Sequence, residues 1–262
     1  MFPPQRVVCL TEETVELLYL MGEQDRIVGI SGYVVRPPQA RKEKPKVSAF
    51  TSANVDKILA LQPDLVLAFS DIQADIVHAL IKHGLDVHTF NQRTLQEVYD
   101  AMRMTGALVG ATERAGRLVD ELAAGVEATR ERAATLPRKP RVYFEEWDEP
   151  GITAIGWVSD LIAAAGGTNV FADRAAGRAA RDRFVTHAEI IAAAPDLIIG
   201  SWCGKRFRPD HVVARPGYET VPAVRDGAVY EIKSPLILQP GPAALTEGLA
   251  ALEGYIRRWA VE

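Results

Sequence analysis

The chain has 262 residues, of which 34 are acidic and 30 basic, giving a formal net charge of −4 with 48% hydrophobic and 24% charged residues. That length allows one large or two small domains with real cores, and the slight excess of acid counts against a nucleic-acid partner, which calls for a basic face. Cys9 and Cys203 are too few for a disulfide framework and lack the spacing of a zinc site, and no apolar run reaches the roughly 18 residues of a membrane helix.

Met1 to Arg6 run directly into a strand-like segment, Val7 to Leu10, and Glu12 and Glu13 then break the apolar run. This is not a secretory signal, so two locations stay open: the cytosol, or a compartment reached after loss of a leader. A helix is predicted over Glu13–Met21, with Gly22 as its left-handed cap. Tyr33 and Phe50 fall in the loops that follow. Residues 58–69 read ILALQPDLVLAF, the end of an apolar helix, then Pro63-Asp64, then a continuously apolar strand ending at Phe69. Proline restricts the residue before it and ends the helix, and strands apolar at every position belong to parallel sheets covered on both faces.

Residues 112–136 carry Ala115, Leu118, Val119, Leu122, Val126 and Ala133 at helical spacing, with Thr112 as N-cap and Pro137 as stop. A single helix there spans about 35–40 Å. The second half then repeats the first. Arg141–Trp147 echoes Arg6–Glu12, a helix is predicted over Ser159–Ala165 before Gly166-Gly167, and residues 190–201 read IIAAAPDLIIGS. The repeat predicts an α/β fold of two Rossmann-like lobes with parallel-type sheets, residues 1–111 and 137–262, joined by one long α-helix over 112–136.

Ligands of open parallel sheets lie beyond the carboxyl ends of the strands, which predicts a ligand cleft between the lobes. Aromatic residues gather at such places: Phe69, Trp147 and Trp202 at strand ends, Tyr33, Phe50 and Phe184 in loops, and Trp157 just before the Ser159 helix. Large rigid rings give contact area at low entropic cost. The run Glu145-Glu146-Trp147-Asp148-Glu149 fits a solvated loop beside a buried tryptophan, a polar ligand contact through Glu146, or a carboxylate pair for catalysis or a cation. His187 and His211 have no second ligand nearby, so no metal site is predicted. GxGxxG, GxxxxGK[ST] and GxSxG are all absent, and no catalytic residues are assigned.

Pro37–Ala40, Lys46–Phe50, Asn54–Phe69, Arg141-Val142, Gly166–Phe171 and Ala194–Ile199 together resemble the periplasmic substrate-binding proteins that serve importers of cobalamin, siderophores and haem, most of all the cobalamin-binding branch. The resemblance covers nearly the whole chain. It implies a monomer with little hinge closure, a periplasmic location, an ABC transporter permease as partner, and a small-molecule ligand stacked on aromatic rings. Cobalamin would then be cargo, with no resident cofactor. Tyr33, Phe50 and Phe69 match the first-lobe contact positions, and Ile152 and the region of Phe184 match those of the second lobe more loosely. Trp147, Trp157 and Trp202 are added from their places in the chain. The docking carboxylates fall seven residues before each Pro-Asp proline, at Asp56 and at Ala188, where the adjoining Glu189 carries the charge. Gln239–Pro242 stands where an arginine is usual. A corrin, with broad apolar faces and an amide rim, fits aromatic walls and loops that look acidic. The alternatives are a siderophore, haem, another small molecule, or a cytosolic corrinoid-binding protein.

Overall fold

The apolar runs form strands whose neighbours along the sheet are distant in sequence. In a computed structural model describing residues 2–262, β1 (Val7–Cys9), β2 (Ile27–Ser31), β3 (Lys46–Ser48), β4 (Leu65–Phe69) and β5 (Val87–Phe90) make one sheet. Its order is β3-β2-β1-β4-β5, and every pairing is parallel. β1 and β4, at the centre, are buried at every position, as strands with helices on both faces must be. The order reverses between β1 and β4, the point where a doubly wound sheet opens a crevice at its carboxyl edge.

The second sheet contains β6 (Arg141–Asp148), β7 (Gly151–Thr153), β8 (Thr168–Asn169), β9 (Phe184–Val185), β10 (Leu197–Gly200) and β11 (Val229–Glu231). Its order is β11-β10-β6-β7-β9, with β8 paired to the start of β6. β11, β10, β6 and β8 are parallel, β7 runs antiparallel to β6, and β9 pairs antiparallel with β7 and so runs in the direction of β6. The sheet is thus mixed, because the turn at Glu149-Pro150 folds β7 back along β6.

The chain divides into two compact units, residues up to Gln92 with Glu97–Glu121, and Arg93–Gln96 with Leu122–Glu262. The division falls inside the 23-residue helix Thr112–Ala134, which has its first half in one unit and its second half in the other. Arg93–Gln96 joins the second unit because the Arg93 carbonyl accepts the Trp157 N–H at 2.7 Å and the Leu95 N–H donates to Asp160 at 2.9 Å.

The internal echo has a structural cause. Asp64 accepts the Arg6 N–H at 2.8 Å, its own N–H returns to the Arg6 carbonyl, and the Arg6 guanidinium donates to the Leu61 and Gln62 carbonyls. In the second unit Asp196 accepts the Arg141 N–H at 2.8 Å, returns its N–H to the Arg141 carbonyl, and the Arg141 guanidinium donates to the Ala193 carbonyl at 2.6 Å. Each clamp ties the start of its sheet's first strand to the end of the helix that leads into the Pro-Asp segment, and satisfies carbonyls a helix end leaves open. The residue before each proline, Gln62 (φ 47°) and Ala194 (φ 42°), lies in the left-handed region.

Candidate functional site

In the first unit the carboxyl ends of β1, β3 and β4 are tied together by one side chain. Gln73 is fully buried; its carbonyl oxygen accepts the Phe69 N–H at 2.9 Å, and its amide donates to the Phe50 carbonyl at 2.9 Å and the Leu10 carbonyl at 3.3 Å. Phe50 is thereby held half-buried in the loop after β3, and Phe69 is buried at the end of β4. Tyr33 stands out from the loop after β2 with 53% of its surface exposed. Ser70, directly after β4, has φ 65° and ψ 173°, a region that only glycine occupies freely and that tends to persist at functional sites.

Beside them, at the carboxyl end of β1, the helix Glu12–Leu20 opens with two buried carboxyls. Burial pushes Glu12 up to about 8, with the charge of Glu13 adding to it. Burial also pushes Glu13 up to about 7, against the lowering effect of the Thr11 hydroxyl, which donates to it at 2.6 Å. In the sequence these two stand only as breaks in an apolar run. A shallow depression beside β5, lined by His88, Phe90, Glu97, Asp100 and Met104, gathers none of the predicted residues.

In the second unit the carboxyl half of β6 carries the acidic run as far as Asp148, so it lies mostly in a strand and not a loop; burial falls from Glu145, fully buried, to Glu149, exposed in the turn. Glu145 is completely buried; it takes two bonds from Arg215, at 2.6 and 2.9 Å, one from the Trp202 indole N–H at 3.0 Å and one from the Tyr143 hydroxyl at 3.1 Å. Burial and the adjacent Glu145 charge raise the Tyr143 hydroxyl well above its ordinary value, so it stays a donor. Glu146 pairs with the buried Arg183 at 2.5 Å. Asp148 pairs with Lys205 at 2.5 Å; desolvation opposes its charge, but Lys205 prevails and holds the carboxyl below its usual range. The stretch is therefore less acidic toward a ligand than its sequence suggests, since three of these carboxylates are already paired with cations.

Three predicted residues meet on one face of the sheet. Trp147 on β6 lies opposite Ile152 on β7, and Ile152 lies opposite Phe184 on β9. Directly opposed residues of antiparallel strands share a face, so the three form a row. Phe184 is in a strand rather than the loop expected, and is 42% exposed. The Lys205 ammonium sits 4.2 Å from the centre of the Trp147 ring and 4.7 Å from that of Trp202. Trp202 is itself buried and packs edge-on against Phe207. Gly200, at the end of β10, makes room for that ring: a Cβ there would lie 1.8 Å from Phe207.

Two other assignments change. Trp157 is only 3% exposed, and its indole N–H donates to the Ile237 carbonyl at 3.0 Å, so it is a core residue of the second unit and presents no face to a ligand. Glu189 is occupied internally: it closes a capping box with Thr186 on the helix His187–Ala193 and pairs with Arg174, which holds its carboxyl down at about 2. Asp56, in the first turn of the helix Val55–Ala60, is exposed. Among the described residues no group of three or more His, Cys, Asp or Glu could hold a metal ion, and no helix is long and apolar enough to cross a membrane.

Two parallel-dominated α/β units of this kind, with side chains gathered at the carboxyl ends of the strands, define a binding-protein fold. Residues 7–236 match the model of the periplasmic binding protein family, and the chain belongs to that family. It is 27% identical to an uncharacterised ABC transporter substrate-binding lipoprotein of Bacillus subtilis, over 95% of this chain and 79% of that protein. It is 25% identical to a vitamin B12-binding protein of Vibrio vulnificus, over 93% of this chain and 87% of that one. In fold it is similar to the crystal structure of a possible iron-binding, periplasmic solute-binding protein from Staphylococcus epidermidis, with a TM-score of 0.82, 23% identity, and 97% and 99% of the two chains covered.

Proposed function

We propose that this protein is the substrate-binding component of an ABC-type importer, working outside the cytoplasm, and that it binds a corrinoid of the cobalamin type without altering it. The observation that carries the ligand reading is the row Trp147–Ile152–Phe184, set by strand register, half-buried at Trp147 and Ile152 and exposed at Phe184. A corrin has wide apolar faces, and aromatic side chains match such a face at low entropic cost. Family membership and the vitamin B12-binding relatives in Vibrio support the same reading.

One observation also suits haem or a ferric siderophore. The acidic run is neutralised, and Lys205, Arg206 and Lys233 stand at the carboxyl ends of β10 and β11, where acidic groups on such ligands would be welcome. Titration with cyanocobalamin, followed by quenching of tryptophan fluorescence, separates the two. Saturable one-to-one quenching at micromolar concentration or below supports the corrinoid. Saturable quenching by haemin or a ferric siderophore, with none by cyanocobalamin, moves the ligand to the second reading.

A further inference from the structure

The loops that leave β10 and β11 enclose a depression of about 620 Å³ lined by Trp202, Lys205, Arg206, Glu231, Lys233 and Ser234. Both loops follow the carboxyl ends of adjacent parallel strands, the side of an α/β sheet where ligands bind. The charges in the depression are unequal. Lys205 is matched by Asp148, while Arg206 and Lys233 have no ion-pair partner among the described residues, and Glu231 is the single carboxylate in the lining. Unmatched cations in a concave site raise the local concentration of anions and pair with them at short range. The depression also adjoins the apolar row, because the Lys205 ammonium lies over both the Trp147 and the Trp202 rings. At the end of β10 the Ser201 hydroxyl, buried beside Trp202, has no protein partner.

We infer that this depression is an anion subsite, which takes a phosphate or carboxylate group projecting from the edge of a ligand whose apolar face lies on Trp147, Ile152 and Phe184. The inference rests on the binding function proposed above and adds a chemical requirement to it. The ligand carries a fixed negative group at its periphery, and Arg206 and Lys233 grip that group while Lys205 stays with Asp148. Among corrinoids the group is the phosphodiester of the nucleotide loop; on haem it is a propionate.

The test compares three probes on the parent protein and on the Arg206→Gln/Lys233→Gln variant, after thermal unfolding has shown that the variant folds. The probes are cyanocobalamin, dicyanocobinamide, which keeps the corrin and lacks the phosphodiester, and haemin. The parent is expected to bind cyanocobalamin roughly tenfold more tightly than dicyanocobinamide, as a charge-assisted contact implies, and the preference should collapse toward unity in the variant. Rising salt should weaken cyanocobalamin more than dicyanocobinamide. Equal preference in parent and variant overturns the subsite while leaving the corrinoid reading intact. If haemin alone binds, the corrinoid reading fails; a roughly tenfold loss for haemin in the variant then upholds the subsite with carboxylate as the anion, and no loss overturns it. Binding of none of the three overturns both.

Discussion

Removing Arg215 should cost the second unit more than any exposed charge in it could. The Glu145 side chain is 1% exposed and that of Arg215 11%, so the pair is shielded from solvent, and its two short bonds are the main compensation for the buried carboxylate. Breaking a buried pair from one side leaves an uncompensated charge and costs about 3–5 kcal/mol. Arg215→Met is therefore expected to lower unfolding stability by about that much at pH 8. Glu145→Gln/Arg215→Met keeps an acceptor for the Trp202 indole and removes both charges, so it should cost clearly less than Arg215→Met alone. Urea unfolding followed by tryptophan fluorescence and circular dichroism reads the parent, these two variants and Glu145→Gln, which closes the cycle. An Arg215→Met cost below about 1 kcal/mol, or costs that simply add across the cycle, would refute the buried-pair account.

The first unit should respond to pH in its own way. Glu13 moves from its usual 4.5 to about 7 and Glu12 from 4.5 to about 8. Both groups keep their protons in the folded state where the unfolded chain has lost them, so their contribution is full below about pH 4.5 and is lost as pH rises toward 7–8. For Glu13 that is worth about 3 kcal/mol; Glu13→Gln should flatten the fall in stability between pH 5 and 8, and an unchanged slope would show that Glu13 is ionised in the fold. Ala194→Gly relieves a left-handed residue at φ 42° and should add about 1 kcal/mol by thermal unfolding; a loss would mean the backbone there is unstrained. Gln73→Leu removes the tie between Phe69, Phe50 and Leu10 and, by leaving buried backbone groups unpaired, should cost about 1–3 kcal/mol and loosen the Phe50 loop, seen as faster amide exchange at Phe50 and Thr51; exchange at the parent rate would contradict the tie.

Much of the fold was legible because it lies in local pattern. The Pro-Asp segments after apolar helices and the arginines at Arg6 and Arg141 appear twice, and the structure shows why, since each aspartate and arginine closes the same clamp. The helix Thr112–Ala134 followed from its spacing and its terminal residues. The antiparallel pairing of β7 with β9, three and two residues long, was not foreseen, since strands so short carry little alternation.

The site was less legible, because its chemistry depends on pairs far apart in sequence. Glu145 looked like part of a solvated run, yet its partner Arg215 is 70 residues away, and nothing near Glu145 announces that cation. Trp157 looked like a loop-edge ring, but its partner carbonyl at Ile237 lies 80 residues on. Gln73 carried no signal at all, being one polar residue at the start of an amphipathic helix. The alignment of Trp147, Ile152 and Phe184 follows from register across a hairpin and a further strand, which residue spacing alone does not encode.

The most direct test of the account is calorimetric titration of cyanocobalamin into the parent protein and into Trp147→Ala and Phe184→Ala. One-to-one binding at micromolar affinity or tighter is expected in the parent, weakened in each variant by about 1–3 kcal/mol, or about 5- to 150-fold. Parent-like affinity in both variants would contradict the assignment of the row, and the absence of binding to the parent would contradict the corrinoid.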